Sequence, residues 1–162
     1  MKRTAEKFMA ICLAIVLAAG CITTTSTAAS KGYQFKYKGV TVSMHGKAAS
    51  LIKKAGKPVA KKAKKSCAYK GLDRTYKYKN FILYTYTKSS KGAEYVNGIT
   101  FLNNKVATKE GIRIGSTYKS VTKKYGKVKG KFGVYTYKKG KSKLQIEVTN
   151  NKVTNIRYIT AK

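Results

Sequence analysis

Leu144-Gln145-Ile146-Glu147-Val148-Thr149, followed by Asn150-Asn151 and then by residues 152–160, is the stretch that decides the fold. Apolar and polar residues alternate from Leu144 to Val148, which is the pattern of a β-strand with one buried and one solvated face. Asparagine tolerates the left-handed conformations of tight turns, so Asn150-Asn151 predicts a turn into the next strand. We therefore expect an antiparallel hairpin at the end of the chain.

Similar segments occur upstream of this hairpin. They are rich in aromatic and β-branched residues and are separated by short polar or glycine-containing stretches, which is typical of antiparallel strands. The predicted strands are residues 76–79, 81–87, 94–103 and 132–138, with shorter extended segments at 40–44 and 112–114.

Two short helices are expected between the strands. Apolar residues fall at helical spacing around Leu51 and again around Val121. Gly56 and Gly126 supply the left-handed residue that ends each helix, and Ser116 or Thr117 is placed to cap the second one.

Three blocks of sequence recur in the same order. Residues 50–57 align with 120–127, residues 75–79 with 134–138, and residues 96–102 with 153–159. Such self-similarity is typical of a duplicated unit. We expect an α+β fold of two tandem repeats, residues 33–104 and 105–162. Each repeat would be a short helix packed on an antiparallel meander of three to four strands.

This order of helix, small-residue turn and meander resembles the β-lactamase inhibitor protein-like fold. A single copy of a similar unit occurs in the small lipoprotein of the outer-membrane assembly machinery. Residues 66–78 and 108–116 also look like a repeat family of exported Gram-positive proteins. The inhibitor resemblance implies an acidic and aromatic contact surface, for which Asp73, with Tyr69 and Tyr76, is the candidate. The alternative is that Asp73 is structural, as a turn residue or as a partner of Arg74.

The N-terminus has the pattern of an export signal. Basic residues precede an apolar run, residues 8–19, that is too short to span a bilayer comfortably. Residues 17–21, Leu-Ala-Ala-Gly-Cys, resemble the bacterial lipobox, which implies a signal peptide over residues 1–20 and a lipid on Cys21. The alternatives are signal-peptidase cleavage within residues 23–30, or an uncleaved anchor. Cleavage leaves an extracytoplasmic protein, lipid-anchored to the cell membrane or secreted, with residues 21–32 as a flexible Ser/Thr/Ala linker.

The chain carries a formal net charge of +31, and almost all of its positive charge is lysine. Lysine acts as a hydrated point charge, whereas reading of bases and clamping of phosphates favour arginine. We therefore expect no sequence-specific binding of nucleic acid. An anionic wall polymer or membrane surface is the expected partner, and a merely solvated surface is the alternative. The densest run, residues 57–65, predicts a polyanion contact at Lys61, Lys62, Lys64 and Lys65. Its alternative is a solvated connection, in which Pro58 could begin a short helix.

Few residues could carry catalysis. His45 is the only histidine, and after the leader the carboxylates are Asp73, Glu94, Glu110 and Glu147. Paired-carboxylate hydrolysis and metal binding therefore have little support. Cys67 is expected to be a small buried residue at the start of a strand, and a reactive nucleophile is the alternative. His45 is expected to lie in a loop or to cap a helix.

The sequence thus predicts a non-catalytic, exported envelope protein without a cofactor or metal. It would bind a protein partner or an anionic cell-wall polymer. The alternative is a proteinaceous inhibitor of an extracytoplasmic enzyme, such as a β-lactamase or a wall peptidase.

Overall fold

The computed structural model describes residues 32–161. The predicted signal peptide, the lipidation site Cys21 and the predicted linker up to residue 31 lie outside the described residues. Of the described residues, 48% are in strands and 12% in helices. In chain order the elements are β1 (Gln34–Tyr37), β2 (Val40–Ser43), α1 (Ala49–Ala55), β3 (Ala60–Lys65), β4 (Leu72–Lys77), β5 (Phe81–Thr87), β6 (Glu94–Phe101), α2 (Tyr118–Tyr125), β7 (Val134–Lys139), β8 (Ser142–Thr149) and β9 (Lys152–Thr160).

The predicted α+β fold of two helix-plus-meander repeats is wrong. Seven strands form one antiparallel sheet in the order β3-β4-β5-β6-β9-β8-β7, and β1 and β2 form a separate hairpin. The two halves of the chain join where β6 pairs with β9, with Gly98 opposite Ile159 and Thr100 opposite Arg157. This pairing makes both strands internal to the sheet, so their backbone groups are satisfied on both sides. Residues 32–161 are therefore mostly β, with one continuous seven-stranded sheet and a separate two-stranded hairpin.

One hydrophobic core serves both halves. The helices and the β1–β2 hairpin contribute Phe35, Leu51 and Val121, all fully buried, to the same cluster as residues of the sheet. The Phe35 ring lies 5.2 Å from that of Phe81 and 6.1 Å from that of Tyr158. One side chain thus connects β1 with β5 and β9, and burial of a phenylalanine contributes about 2–3 kcal/mol.

Both helices lie where the apolar spacing predicted them. The Thr117 side chain accepts a hydrogen bond from the Ser120 N–H at 3.2 Å, which confirms it as the cap of α2. Gly56 and Gly126 end the helices with φ of 79° and 82°, in the left-handed region that favours glycine.

Segment 57–65 does not contain the short helix considered above. Residues 60–65 form strand β3, whose residues are all exposed and which pairs with β4 along its whole length, from Ala60 opposite Lys77 to Lys65 opposite Leu72. Alanine and lysine have low strand propensity, so the partner strand rather than the local sequence decides this conformation. Lysine is also well suited to the edge of a sheet, where it prevents pairing with other chains.

The alternating strand directions give the sheet two distinct ends. β3 and β7, the two edge strands, both begin at the same end, which we call the lower end, and they finish at the upper end.

The helices cover one face of the sheet. The opposite face, called the outer face, carries half-buried polar and aromatic residues, among them Thr75, Tyr84 and Arg157.

Candidate functional site

A groove lies at the upper end of the sheet, where the loop after β3 meets the outer face. Its volume is about 370 Å³. The residues that line it come from five separate parts of the chain and include His45, Cys67, Tyr69, Asp73, Tyr86 and Asn97. We call it the upper groove.

Two stacked tyrosines, Tyr69 and Tyr86, form the aromatic part of the upper groove, and Tyr95, which does not line it, extends the stack. The Tyr86 ring lies 5.0 Å from that of Tyr69, with the planes 15° apart, and 5.6 Å from that of Tyr95, with the planes 29° apart. Tyr69 is the outermost of the three, with 42% of its surface exposed. Burial, and to a lesser extent the neighbouring Tyr69 and Tyr95, raise the pKa of Tyr86 above its usual value. Tyr86 is therefore uncharged at neutral pH, and the stacked rings offer an aromatic surface.

The loop that carries Tyr69 is fixed at both ends. The Ser66 N–H donates to the Gly71 carbonyl at 3.0 Å, and the Leu72 N–H donates to the Thr87 hydroxyl at 2.8 Å. A Cβ on Gly71 would overlap Thr87, so the close approach of loop and strand requires glycine here.

Asp73 lies beside this stack. It is a residue of β4, opposite Lys64 on one side and Tyr86 on the other, so it is neither in a turn nor paired with Arg74. Within residues 32–161 its carboxylate makes no hydrogen bond or ion pair with another side chain, whereas Glu94 lies 3.5 Å from Arg74. Asp73 is thus an accessible carboxylate on an otherwise cationic surface.

Tyr76 does not join Tyr69 and Asp73. It points to the helix-covered face of the sheet, where only 5% of its surface is exposed and its hydroxyl donates to Glu94 at 3.2 Å. Burial first, and then the hydrogen bond and the charge of Glu94, raise the pKa of Tyr76 to about 12. The structure therefore brings together Tyr69 and Asp73 of the predicted contact surface and places Tyr76 in the core.

Cys67 is exposed, so the expectation of a small buried residue at this position is wrong. The loop that crosses the upper end holds it above the sheet, away from the core. His45, in a loop as expected, has a left-handed backbone with φ of 62°, and its Nδ1 lies 3.1 Å from the Tyr86 hydroxyl. The hydrogen-bond partner of the His45 ring is therefore the Tyr86 hydroxyl and not Cys67.

The four lysines of β3 form an exposed row that faces both sides of the sheet. Lys62 and Lys64 share the outer face with Thr75 and Asp73 of the neighbouring strand. Lys61 points to the opposite side, where its Nζ lies 5.2 Å from the centre of the Tyr76 ring. The predicted polyanion contact is thus a cationic sheet edge.

Lysine takes no part in the ion pairs among the described residues. The two ion pairs among residues 32–161 are made by arginine, Arg74 with Glu94 at 3.5 Å and Arg157 with Glu147 at 2.7 Å. Glu110 accepts a hydrogen bond from the Tyr125 hydroxyl at 2.5 Å. Three of the four carboxylates in this region are therefore already engaged, and the lysine charges are uncompensated.

No group of three or more histidine, cysteine, aspartate or glutamate side chains among the described residues is arranged to hold a metal ion. In the same part of the chain, neither helix is long and apolar enough to cross a membrane.

Sequence reasoning missed His45, Tyr86 and Asn97 as members of the upper groove. His45 lies in the loop after β2, Tyr86 on β5 and Asn97 on β6. The pairing of β5 with β6 and the hydrogen bond from the His45 N–H to the Val96 carbonyl, 2.8 Å, bring them together. The left-handed backbone at His45 could not be predicted, because the sequence around it contains no turn motif such as an Asn-Gly pair.

Comparisons of the chain with protein-family models, with curated proteins and with solved structures found no match.

Proposed function

We propose that the protein is an extracytoplasmic binding module that holds an anionic polymer of the cell envelope and catalyses no reaction. The export pattern at the N-terminus supports an extracytoplasmic location, and the net charge of +31 supports an anionic partner. The polymer would contact the lysine edge of the sheet, with β3 at its centre.

The observation that carries the proposal is the absence of ion pairs to lysine within residues 32–161. Lysines that are part of a network of surface ion pairs are neutralised by their own chain. Here they are free, and their mutual repulsion destabilises the compact state. A polyanion relieves this repulsion and gains entropy from the counterions that it releases.

The geometry of β3 fits an extended polyanion. Alternate residues of a strand point to the same face at a spacing of roughly 6–7 Å, so Lys62 and Lys64 present two charges in line on the outer face. On the other side Lys61 and Lys65 are roughly 13 Å apart, with Ala63 between them. A flexible chain with regularly spaced phosphates can follow such a row.

A binding assay with polyglycerol phosphate at graded salt tests the proposal. The affinity should fall steeply with rising salt, since each lysine contact competes with cations for the polymer. The variant in which Lys61, Lys62, Lys64 and Lys65 become glutamine should bind about tenfold or more weakly.

The matched control changes the same total charge at four exposed loop lysines, Lys88, Lys91, Lys105 and Lys109. Undetectable or salt-independent binding of the parent protein would refute the proposal. Equal losses in the two variants would refute the assignment to β3.

A second candidate function is inhibition of an extracytoplasmic enzyme through the upper groove. The specific observation in its favour is an unpaired carboxylate, Asp73, beside an exposed aromatic ring, Tyr69. If this function is correct, the protein slows a β-lactamase or a wall peptidase at micromolar concentration, and both Asp73→Asn and Tyr69→Ala weaken the effect. No inhibition by the parent protein would rule it out.

A further inference from the structure

Phe132 occupies an unusual position in a tight turn at the lower end of the sheet. Lys131 and Val134 exchange two backbone hydrogen bonds, both 3.0 Å long, so Phe132 and Gly133 are the central residues of a two-residue turn. Their φ angles are 51° and 75°. A positive φ at both central positions is the geometry of turns that favour Asn-Gly. Phe132 therefore stands where asparagine is the preferred residue.

Two other turns of the same kind show what the chain uses elsewhere. Lys38-Gly39, between β1 and β2, has φ of 45° and 83°, and Asn150-Asn151, between β8 and β9, has φ of 49° and 60°. Both place a polar residue first. A bulky side chain is strained in this conformation because its Cβ crowds the backbone.

Packing does not offset this strain. The Phe132 side chain is 93% exposed, which makes it the most exposed large apolar residue among residues 32–161. The strained backbone opposes folding, and the ring, which stays in water, gains no burial in the core to compensate. Such an outlier points to a function outside the fold itself.

Exposed lysines lead up to the ring in the chain, and one of them lies beside it. Lys127, Lys129 and Lys131 precede Phe132 at alternate positions and are all exposed, and the Lys131 Nζ lies 5.5 Å from the centre of the ring. The turn therefore presents one apolar group among positive charges at a protruding point of the molecule.

We propose that this turn docks the protein on an anionic lipid bilayer, with Phe132 inserted at the boundary between headgroups and acyl chains. Aromatic rings favour this boundary, and basic residues beside them are attracted to anionic headgroups. A bilayer also needs no complementary pocket. A ring that is 93% exposed is not itself held in a cleft that a polymer or a folded partner could share. The inference goes beyond the proposed polymer binding, which involves β3 and not this turn.

Single tryptophan substitutions can locate the contact between protein and bilayer, since the chain contains no tryptophan of its own. Full-length protein carrying Phe132→Trp is mixed with vesicles of phosphatidylglycerol and phosphatidylcholine, or of phosphatidylcholine alone. The indole emission should shift to the blue and become protected from an aqueous quencher with the anionic vesicles only.

The control is Tyr69→Trp, because Tyr69 is an exposed aromatic residue at the opposite end of the sheet. Its emission should not shift. An unshifted indole at position 132, or equal shifts at both positions, would overturn the proposal.

Phe132→Asn separates membrane docking from folding. This change restores Asn-Gly in the turn, so the resistance of the variant to urea should be equal to or greater than that of the parent. Its partition onto anionic vesicles should fall about tenfold, which is the effect of losing one inserted aromatic ring. Its affinity for polyglycerol phosphate should not change.

The remaining outcomes each count against the inference. Reduced stability of Phe132→Asn would show that the ring has a structural role. Equal losses on vesicles and on polyglycerol phosphate would show that the turn contacts the polymer instead. Failure of the parent protein to bind polyglycerol phosphate, with docking on vesicles intact, would refute the proposed function and leave this inference standing.

Discussion

At the scale of single residues, the buried tyrosines make stability sensitive to alkaline pH. Burial is the main cause that raises the pKa of Tyr76 and of Tyr137 to about 12, from 10.0 in the unfolded chain. Between these two values the unfolded chain releases a proton that the folded protein retains. The contribution of these groups to stability is therefore complete below pH 10 and is lost as the pH rises toward 12.

Tyr137→Phe tests this linkage. Its hydroxyl donates one long hydrogen bond, 3.3 Å, to the Gly126 carbonyl, so the change disturbs little else. The free energy of unfolding of the parent should fall more steeply between pH 10 and pH 12 than that of the variant. Urea unfolding at a series of pH values, with tyrosinate absorbance recorded in parallel, measures both slopes. The parent and Tyr137→Phe carry the same lysines, so any effect of lysine on stability is common to both. Equal slopes of unfolding free energy against pH in the two proteins would therefore contradict the prediction.

The upper groove shows which residues could be grouped from the sequence. Tyr69 and Asp73 are close in the chain, and proximity alone brings them together. Tyr76 is also close in the chain, but β4 begins at Leu72, so Asp73 and Tyr76 are residues of the same strand. Residues three apart in one strand point to opposite faces, so Asp73 and Tyr76 cannot share a surface.

At the scale of elements, β3 is an exposed sheet edge that lysine keeps from pairing with other molecules. Lys62→Val with Lys64→Val removes two charges from its outer face and raises its strand propensity. We expect this variant to self-associate through β3. Light scattering and thioflavin fluorescence against protein concentration would detect the assemblies.

The control for this variant changes two exposed lysines of α2, Lys119→Val and Lys123→Val. These make the same change in charge and apolar surface away from a free strand edge. Association of both variants to the same extent would attribute the effect to lost charge and not to the edge.

The same strand explains why the elements were only partly predictable. β5 and β9 combine strong alternation with aromatic and β-branched residues, and their bounds follow from the sequence. β3 has no such pattern. Its conformation comes from β4, which follows it in the chain after a short loop, and this pairing is tertiary information.

At the scale of the whole molecule, uncompensated charge should make stability depend on salt. The net charge of +31 creates repulsion that salt screens over about 8–10 Å at physiological ionic strength. The urea midpoint should therefore rise as sodium chloride is added, while the affinity for a polyanion falls. A midpoint that does not change with salt would mean that the repulsion is already compensated in the folded state.

The topology of the whole sheet could not be predicted from local patterns. The repeated blocks indicate strands and helices in the right places, but the pairing of β6 with β9 joins residues about 60 positions apart in the chain. Nothing in either strand specifies that partner. Internal strands are stabilised most, because both of their edges are paired. This stabilisation exists only when all seven strands are assembled.

The opposite locations of Phe132 and the upper groove give the molecule an orientation. About eight residues of strand separate the two levels of the sheet, a height of roughly 25 Å. Seated on a bilayer by its turn, the protein would hold Tyr69 and Asp73 at that height, facing away from the lipid. A large partner could then reach them without touching the membrane beneath.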